Sequence, residues 1–283
     1  MCRKNGKQTF YMTTGIRALV CDYDGTLTQE RNIVPSALRD TLRELQANGY
    51  MCTLNTGLPY PMVPFKVGRQ FTPNAAYMME AGGRIVTPEG QTYYVAPMAE
   101  DEIAALDPYL ARENLRMAAF TPVSGEAFFV YTTDPESVRA RYRSPEGKQF
   151  PDEWLLTDIH TFRHLIREKG AVRVAMEGSD DSFAIPTNGD MPGSVTRNSA
   201  TYEVRSEGVN KGEVIGRWAK AHGLDLSQIA ICGNDLNDLD MFQTGVGMKI
   251  RVGTDCLQLA EYATHQVTDA EELAVFLQNE FLS

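Results

Sequence analysis

The run Ile16-Arg17-Ala18-Leu19-Val20-Cys21 is apolar enough for a buried strand. It ends on two carboxylates one residue apart, Asp22 and Asp24, followed by Gly25-Thr26. Two like charges are costly to bury without partners. The run must therefore end at an exposed edge, at a cation or at a reaction. The same grammar continues downstream. Residues 34–49 read as a helix, with Leu38, Leu42 and Leu45 on one face and Gly49 as its stop. Strand candidates follow at 50–57 and 75–80. Late in the chain, 210–223 reads as an amphipathic helix with Val214, Ile215, Trp218 and Ala219 inward. Residues 229–232 and 245–250 read as strands, and 254–263 and 270–282 as closing helices. Such alternation predicts parallel strands with right-handed helical crossovers. The expected fold class is α/β: a Rossmann-like, doubly wound, mostly parallel sheet.

The middle of the chain differs. Short strand candidates stand at 84–87, 92–95, 127–133, 172–177 and 183–186, with helical stretches at 100–114 and 158–170. Turn-rich pieces separate them. This predicts an α+β insertion, a cap at 84–198, between the two halves of one core at 1–83 and 199–283.

Net charge is −10, from 37 acids against 27 bases. A nucleic-acid or anionic-membrane surface wants a basic footprint, so neither is expected as a partner. A small anionic substrate needs local cations to overcome the overall field. The five cysteines (Cys2, Cys21, Cys52, Cys232 and Cys256) form no C-x-x-C pair and read as buried thiols in a reducing compartment. The first fifteen residues are basic without an apolar signal core, and no run approaches the ~18 apolar residues of a membrane span. The expected location is cytoplasmic. Oligomeric state leaves no trace in the sequence.

Four stretches carry chemistry: Asp22-Tyr23-Asp24-Gly25-Thr26, Asn55-Thr56-Gly57, Asn210-Lys211-Gly212 and Gly233-Asn234-Asp235-Leu236-Asn237-Asp238. Three of them follow the carboxyl ends of predicted parallel strands, the edge where open α/β sheets place ligands. Singly, each has a plain structural explanation. A D-x-D-G turn can be an Asx turn, Thr56 ordinary turn chemistry, and Lys211 a solvated helix-start lysine. An EF-hand loop is excluded, because glycine is the fourth residue rather than the sixth and Ile33 is the twelfth.

In this order and spacing the four stretches resemble the motifs of the haloacid-dehalogenase superfamily. The insertion resembles that superfamily's type-2 cap, as in the Cof-type and sucrose-phosphate phosphatase-like branch. The resemblance implies a Mg²⁺-dependent phosphatase that hydrolyses a small phosphorylated metabolite, such as a sugar phosphate, through an aspartyl-phosphate. Asp22 is then the nucleophile and Asp24 the general acid and base. Thr56 binds a phosphoryl oxygen, and Lys211 neutralises charge on the phosphoryl group and Asp22. Gly25 lets successive N–H groups form an anion site. The metal falls on the Asp22 carboxylate, the Asp24 carbonyl and the fourth motif. There Asn234 is expected to face the metal, Asp238 to hold a ligand water or Lys211, and Asp235 to add charge at the rim. The rival arrangement makes Asp235 the direct ligand.

Two departures stand out. The family's fourth motif usually begins Gly-Asp, where this chain has Gly233-Asn234. Its second motif often reads Thr-Gly-Arg, where this chain has Leu58 in place of the Arg. They keep open a non-catalytic phosphometabolite-binding protein. A phosphomutase is a near alternative in the same chemistry. A phospho-accepting receiver domain is disfavoured by the large insertion and the second Asp. His160, His164 and Glu168 share a helical face and read as solvated rather than metal-binding. The run Arg139 to Arg143 likewise reads as a solvated face rather than a substrate contact.

Overall fold

The computed structural model describes residues 15–28, 33–68, 70–144, 147–187, 189–198 and 200–283. Cys2 and nearly all of the basic N-terminal stretch lie outside the described residues.

Strands β1 (Ala18–Cys21) and β2 (Met51–Leu54) are joined by the helix Ser36–Ala47. That helix buries Leu38, Leu42 and Leu45, the face read from the sequence, together with Thr41, which completes an i, i+3, i+4, i+7 stripe. A small antiparallel sheet follows: β3 (Tyr77–Met79), β4 (Arg84–Val86) and β5 (Thr92–Val95). The next six strands form one sheet in the order β10-β11-β9-β6-β7-β8. They are β6 (Leu115–Thr121), β7 (Phe129–Thr132), β8 (Leu155–Leu156), β9 (Arg173–Gly178), β10 (Ser194–Asn198) and β11 (Thr201–Arg205). The core then resumes with β12 (Ile229–Gly233), β13 (Met248–Val252) and β14 (His265–Val267).

The core sheet runs β14-β13-β12-β1-β2, and every neighbouring pair is parallel. From β1 the chain steps to β2 on one side, and from β12 to β13 on the other. The winding therefore reverses between β1 and β12, which opens a crevice at their carboxyl ends. Ala18 to Cys21 pair in register with Ile229 to Cys232, so Asp22 and Gly233 emerge side by side. Helices Ser36–Ala47 and Ala270–Phe281 pack on one face. The helix Lys211–Ala221 packs on the other, with Trp218 fully buried and its Nε1 donating to Ala76 O at 2.8 Å. Strands covered on both faces read as continuous apolar runs, which is why "ALVC" and "IAIC" are legible.

The middle region departs from expectation in several places. Residues 183–186 are irregular, and 100–114 breaks into two short helices, Glu100–Ala104 and Asp107–Leu110, with Pro108 opening the second. Of 254–263 only Leu257–Ala260 is helical. The seven-residue β6 was not expected at all. Leu, Arg, Met and Ala favour helix, but β6 lies between β7 and β9, and pairing on both edges overrides propensity.

The expected domain boundaries also move. Hairpin β4–β5, expected in the cap, packs Ile85 and Tyr94 on the core cluster around Trp218. Strand β11, expected in the core, pairs with β9 and β10 in the cap sheet. We therefore place the cap from the Glu100–Ala104 helix to β11. Among the described residues no helix is long and apolar enough to cross a membrane.

Candidate active site

The chain at the end of β1 stays extended long enough for Asp22 and Asp24 to reach one cavity, while Tyr23 between them turns into the core. The Tyr23 hydroxyl donates to Lys66 O at 2.8 Å, tying this segment to the helix Val63–Lys66. A turn over 24–27 follows. Gly25 has φ +84°, and a Cβ there would run into the Asn234 side chain, so glycine is required twice over. The Gly25 N–H donates to Thr28 Oγ1 at 3.1 Å. That amide is thus committed within the turn rather than offered to an anion.

Lys211 opens its helix beside this edge. Asn210 caps the helix by accepting from Glu213 N, and Asn55 Nδ2 holds the Lys211 carbonyl at 2.7 Å. The Lys211 ammonium donates to Asp22 Oδ1 at 2.6 Å and to Asp238 Oδ1 at 2.7 Å, with all three side chains at most 4% exposed. Burial works against the charge on Lys211. The two carboxylates more than offset that and hold it well above the usual lysine range. Burial also pushes the Asp22 carboxyl up to about 7; Lys211 pulls the other way, while Asp238 and Asp24 add to the rise.

The fourth motif folds as a tight turn after β12. Asp238 spends both oxygens: Oδ1 on Lys211, and Oδ2 on the Asn234 and Asp235 N–H groups at 2.9 and 3.3 Å. It is the counter-ion of the lysine and the clasp of the turn, and it does not line the cavity. Asn234 is directed away too. Its Oδ1 accepts from Thr26 Oγ1 at 2.8 Å, and its amide packs on Gly25. Asp235 lines the cavity with Asp22, Asp24 and Thr56, as does Asn237. The Asn237 Oδ1 is buried without a partner. Sequence reasoning quoted Asn237 within its motif but gave it no role.

The cavity measures about 500 Å³ and lies between the core edge and the cap sheet. Its floor also holds Lys66, whose Nζ sits 3.3 Å from Asp24 Oδ1. Nothing in the sequence marks Lys66. Its roof comes from strands β6, β9 and β11 together with Phe128, Arg141 and Tyr142. Arg173 of β9 donates to Gly57 O at 2.9 Å and pairs with Glu203 of β11, which Arg205 also approaches at 3.4 Å. Burial would raise the Glu203 carboxyl, but the two arginines more than offset it and hold it below its ordinary range. The run 139–143 divides. Arg139 faces solvent and pairs with Glu136 and Asp152, as read from the sequence, whereas Arg141 and Tyr142 enter the roof. His164 pairs with Glu168 on an exposed face.

Among the described residues no three His, Cys, Asp or Glu side chains form a metal-holding group. Mg²⁺ needs less than that: it keeps several waters and takes one or two carboxylates with other hard oxygens. Asp22, Asp235 and the orphaned Asn237 oxygen are such a donor set, so the residues present fit the ion.

The family model for haloacid dehalogenase-like hydrolases matches residues 19–277. A Haemophilus influenzae protein provisionally named a phosphatase is 23% identical over 281 residues, covering 95% of this chain and 98% of its own. A phosphatase of the haloalkanoate superfamily from Bacteroides thetaiotaomicron superposes with a TM-score of 0.75 at 17% identity, over 97% of this chain and 99% of its own. A subclass IIB sugar phosphatase does so with 0.73 at 16%, over 93% and 98%. With its parallel core, inserted cap and four motifs converging on one edge, the chain belongs to the haloacid dehalogenase-like hydrolases.

Proposed function

We propose that the protein is a Mg²⁺-dependent phosphatase acting on a small phosphomonoester such as a sugar phosphate. The observation that carries this reading is the Asp22–Lys211–Asp238 triad at the mouth of the β1–β12 crevice. Asp22 lines the cavity with Asp24 and Thr56. An Asp22 oxygen attacks phosphorus as the bond to the leaving oxygen breaks, and Asp24 gives that oxygen its proton. Asp24 then takes a proton from water, whose oxygen attacks the same phosphorus and releases phosphate and the Asp22 carboxylate. Lys211 fixes the Asp22 carboxylate, and Thr56 offers its hydroxyl to a phosphoryl oxygen. We assign the metal to Asp22, Asp235 and Asn237, together with the Asp24 carbonyl that the family resemblance implies. Asn234 holds the turn through Thr26, and Asp238 holds Lys211. When bound, the ion neutralises charge on the transferring group.

Hydrolysis of p-nitrophenyl phosphate with and without Mg²⁺ tests this reading, followed by a panel of sugar phosphates. Metal-dependent turnover that disappears in Asp22→Asn is the expected result. Turnover indifferent to both would overturn it.

A further inference from the structure

We propose that the cap roof reads a second anionic group on the substrate, a carboxylate or a second phosphate on the part that leaves, and that Arg141 reads it. The inference rests on the phosphomonoester reading and narrows its substrate class.

Arg141 ends the helix Pro135–Arg141, and its head lines the cavity. Its Nη1 donates to Glu177 Oε2 at 2.8 Å and touches the Met117 sulfur at 3.9 Å. Its other N–H groups donate to nothing among the described residues, and the side chain is 45% exposed. Glu177 is the opposite case. It is 6% exposed, Arg141 takes one carboxylate oxygen and Arg116 takes the other. One carboxylate shared by two guanidiniums leaves a surplus positive charge.

That sharing lets Arg141 be recruited. Stripping a buried carboxylate of its sole partner is strongly unfavourable. Glu177 keeps Arg116 when Arg141 turns towards a ligand, so no charge is stranded. Arg141 also keeps spare donors. A polyol needs acceptors for its hydroxyl protons, and each Glu177 oxygen already accepts from an arginine, which weakens it as an acceptor for a hydroxyl. An oxyanion needs only donors, which the arginine fork supplies in pairs. Met117, Phe128 and Ala175 line the cavity with it and offer an anion no competing polar group. In a chain of net charge −10 this positive wall is not simply the general surface.

Competition against p-nitrophenyl phosphate hydrolysis tests the proposal with two matched pairs. 3-Phosphoglycerate is set against glycerol 3-phosphate, and glucose 1,6-bisphosphate against glucose 6-phosphate. The member with the additional anionic group should compete about tenfold better in at least one pair, the size of one good charged contact. A preference in the first pair alone names a carboxylate, and in the second alone a phosphate. Arg141→Gln should bring that ratio to about threefold or less, and Arg141→Lys should keep part of it. Equal competition within both pairs, no competition by any compound, or a ratio that survives Arg141→Gln would overturn the proposal. Absence of p-nitrophenyl phosphate turnover would instead sink the phosphatase reading and this inference with it.

Discussion

Two ionic triads reach the same cavity, one through Asp22 and the other through Glu177 and Arg141, and are built in opposite senses. On the floor, one cation, Lys211, is shared by two carboxylates, and the group is almost wholly buried. On the roof, one carboxylate, Glu177, is shared by two arginines that are each nearly half exposed. The floor has a surplus of negative charge and suits a metal cation. The roof has a surplus of positive charge and suits an anion. Burial fixes the floor groups in place. Exposure leaves the roof arginines free to move. On the proposed function, the difference separates the part of the molecule that does chemistry from the part that chooses what enters.

The largest effect expected from disturbing the floor is on rate. Asp22→Asn should cost about 10³-fold or more in p-nitrophenyl phosphate hydrolysis, because the carboxamide is a poor nucleophile. Its circular dichroism should match wild type. Activity within tenfold of wild type would remove the floor's chemical role.

Stability should separate the triads next. Lys211→Met strands Asp22 and Asp238 and should cost about 3–5 kcal/mol in denaturant unfolding. Arg116→Gln leaves Glu177 with Arg141 and should cost under about 1 kcal/mol. Similar losses in the two variants would mean that the contrast in burial does not set their energetics.

Within the floor, the metal assignment distinguishes neighbours. Asp235→Asn should raise the Mg²⁺ concentration for half-maximal activity about tenfold. Asn234→Asp should change it little, since that side chain is directed to Thr26. The reverse pattern would return the ligand role to Asn234.

A smaller effect concerns pH. The Asp22 carboxyl is raised from 3.8 to about 7 in the metal-free fold. Between those values the native state holds a proton that the unfolded chain has lost, so this group's contribution to stability falls as pH rises. The difference in unfolding free energy between metal-free wild type and Asp22→Asn should therefore decline from pH 4 to 7. A flat difference would place the carboxyl in its ordinary range.

The convergence of the floor residues was legible in the sequence because they sit in contiguous motifs, two of them at the ends of fully apolar strands. Asp22, Asp24, Thr56 and Lys211 could be named that way, and all of them meet at one edge. Within the fourth motif, spacing alone could not say which side chains turn inward. Asn234 is drawn off by Thr26, and Asp238 by Lys211 and two backbone amides. The roof left no such signal. Its residues come one or two at a time from β6, β9, β11 and the end of a short helix, and only the cap sheet brings them together. Arg141 sits in a charged run that looks solvated, and strand β6 in residues that favour helix.

The most direct test of the floor's role is to look for the phosphoryl group on Asp22 itself. Asp24→Asn should slow water attack more than the first transfer from an aryl phosphate, whose leaving group needs little protonation. Acid quenching of that variant during p-nitrophenyl phosphate turnover, followed by proteolysis and mass spectrometry, should find one phosphoryl group on the peptide containing Asp22. The same treatment of Asp22→Asn should find none. A phosphoryl group on any other residue, or none on Asp22 while the enzyme still turns over, would contradict the account.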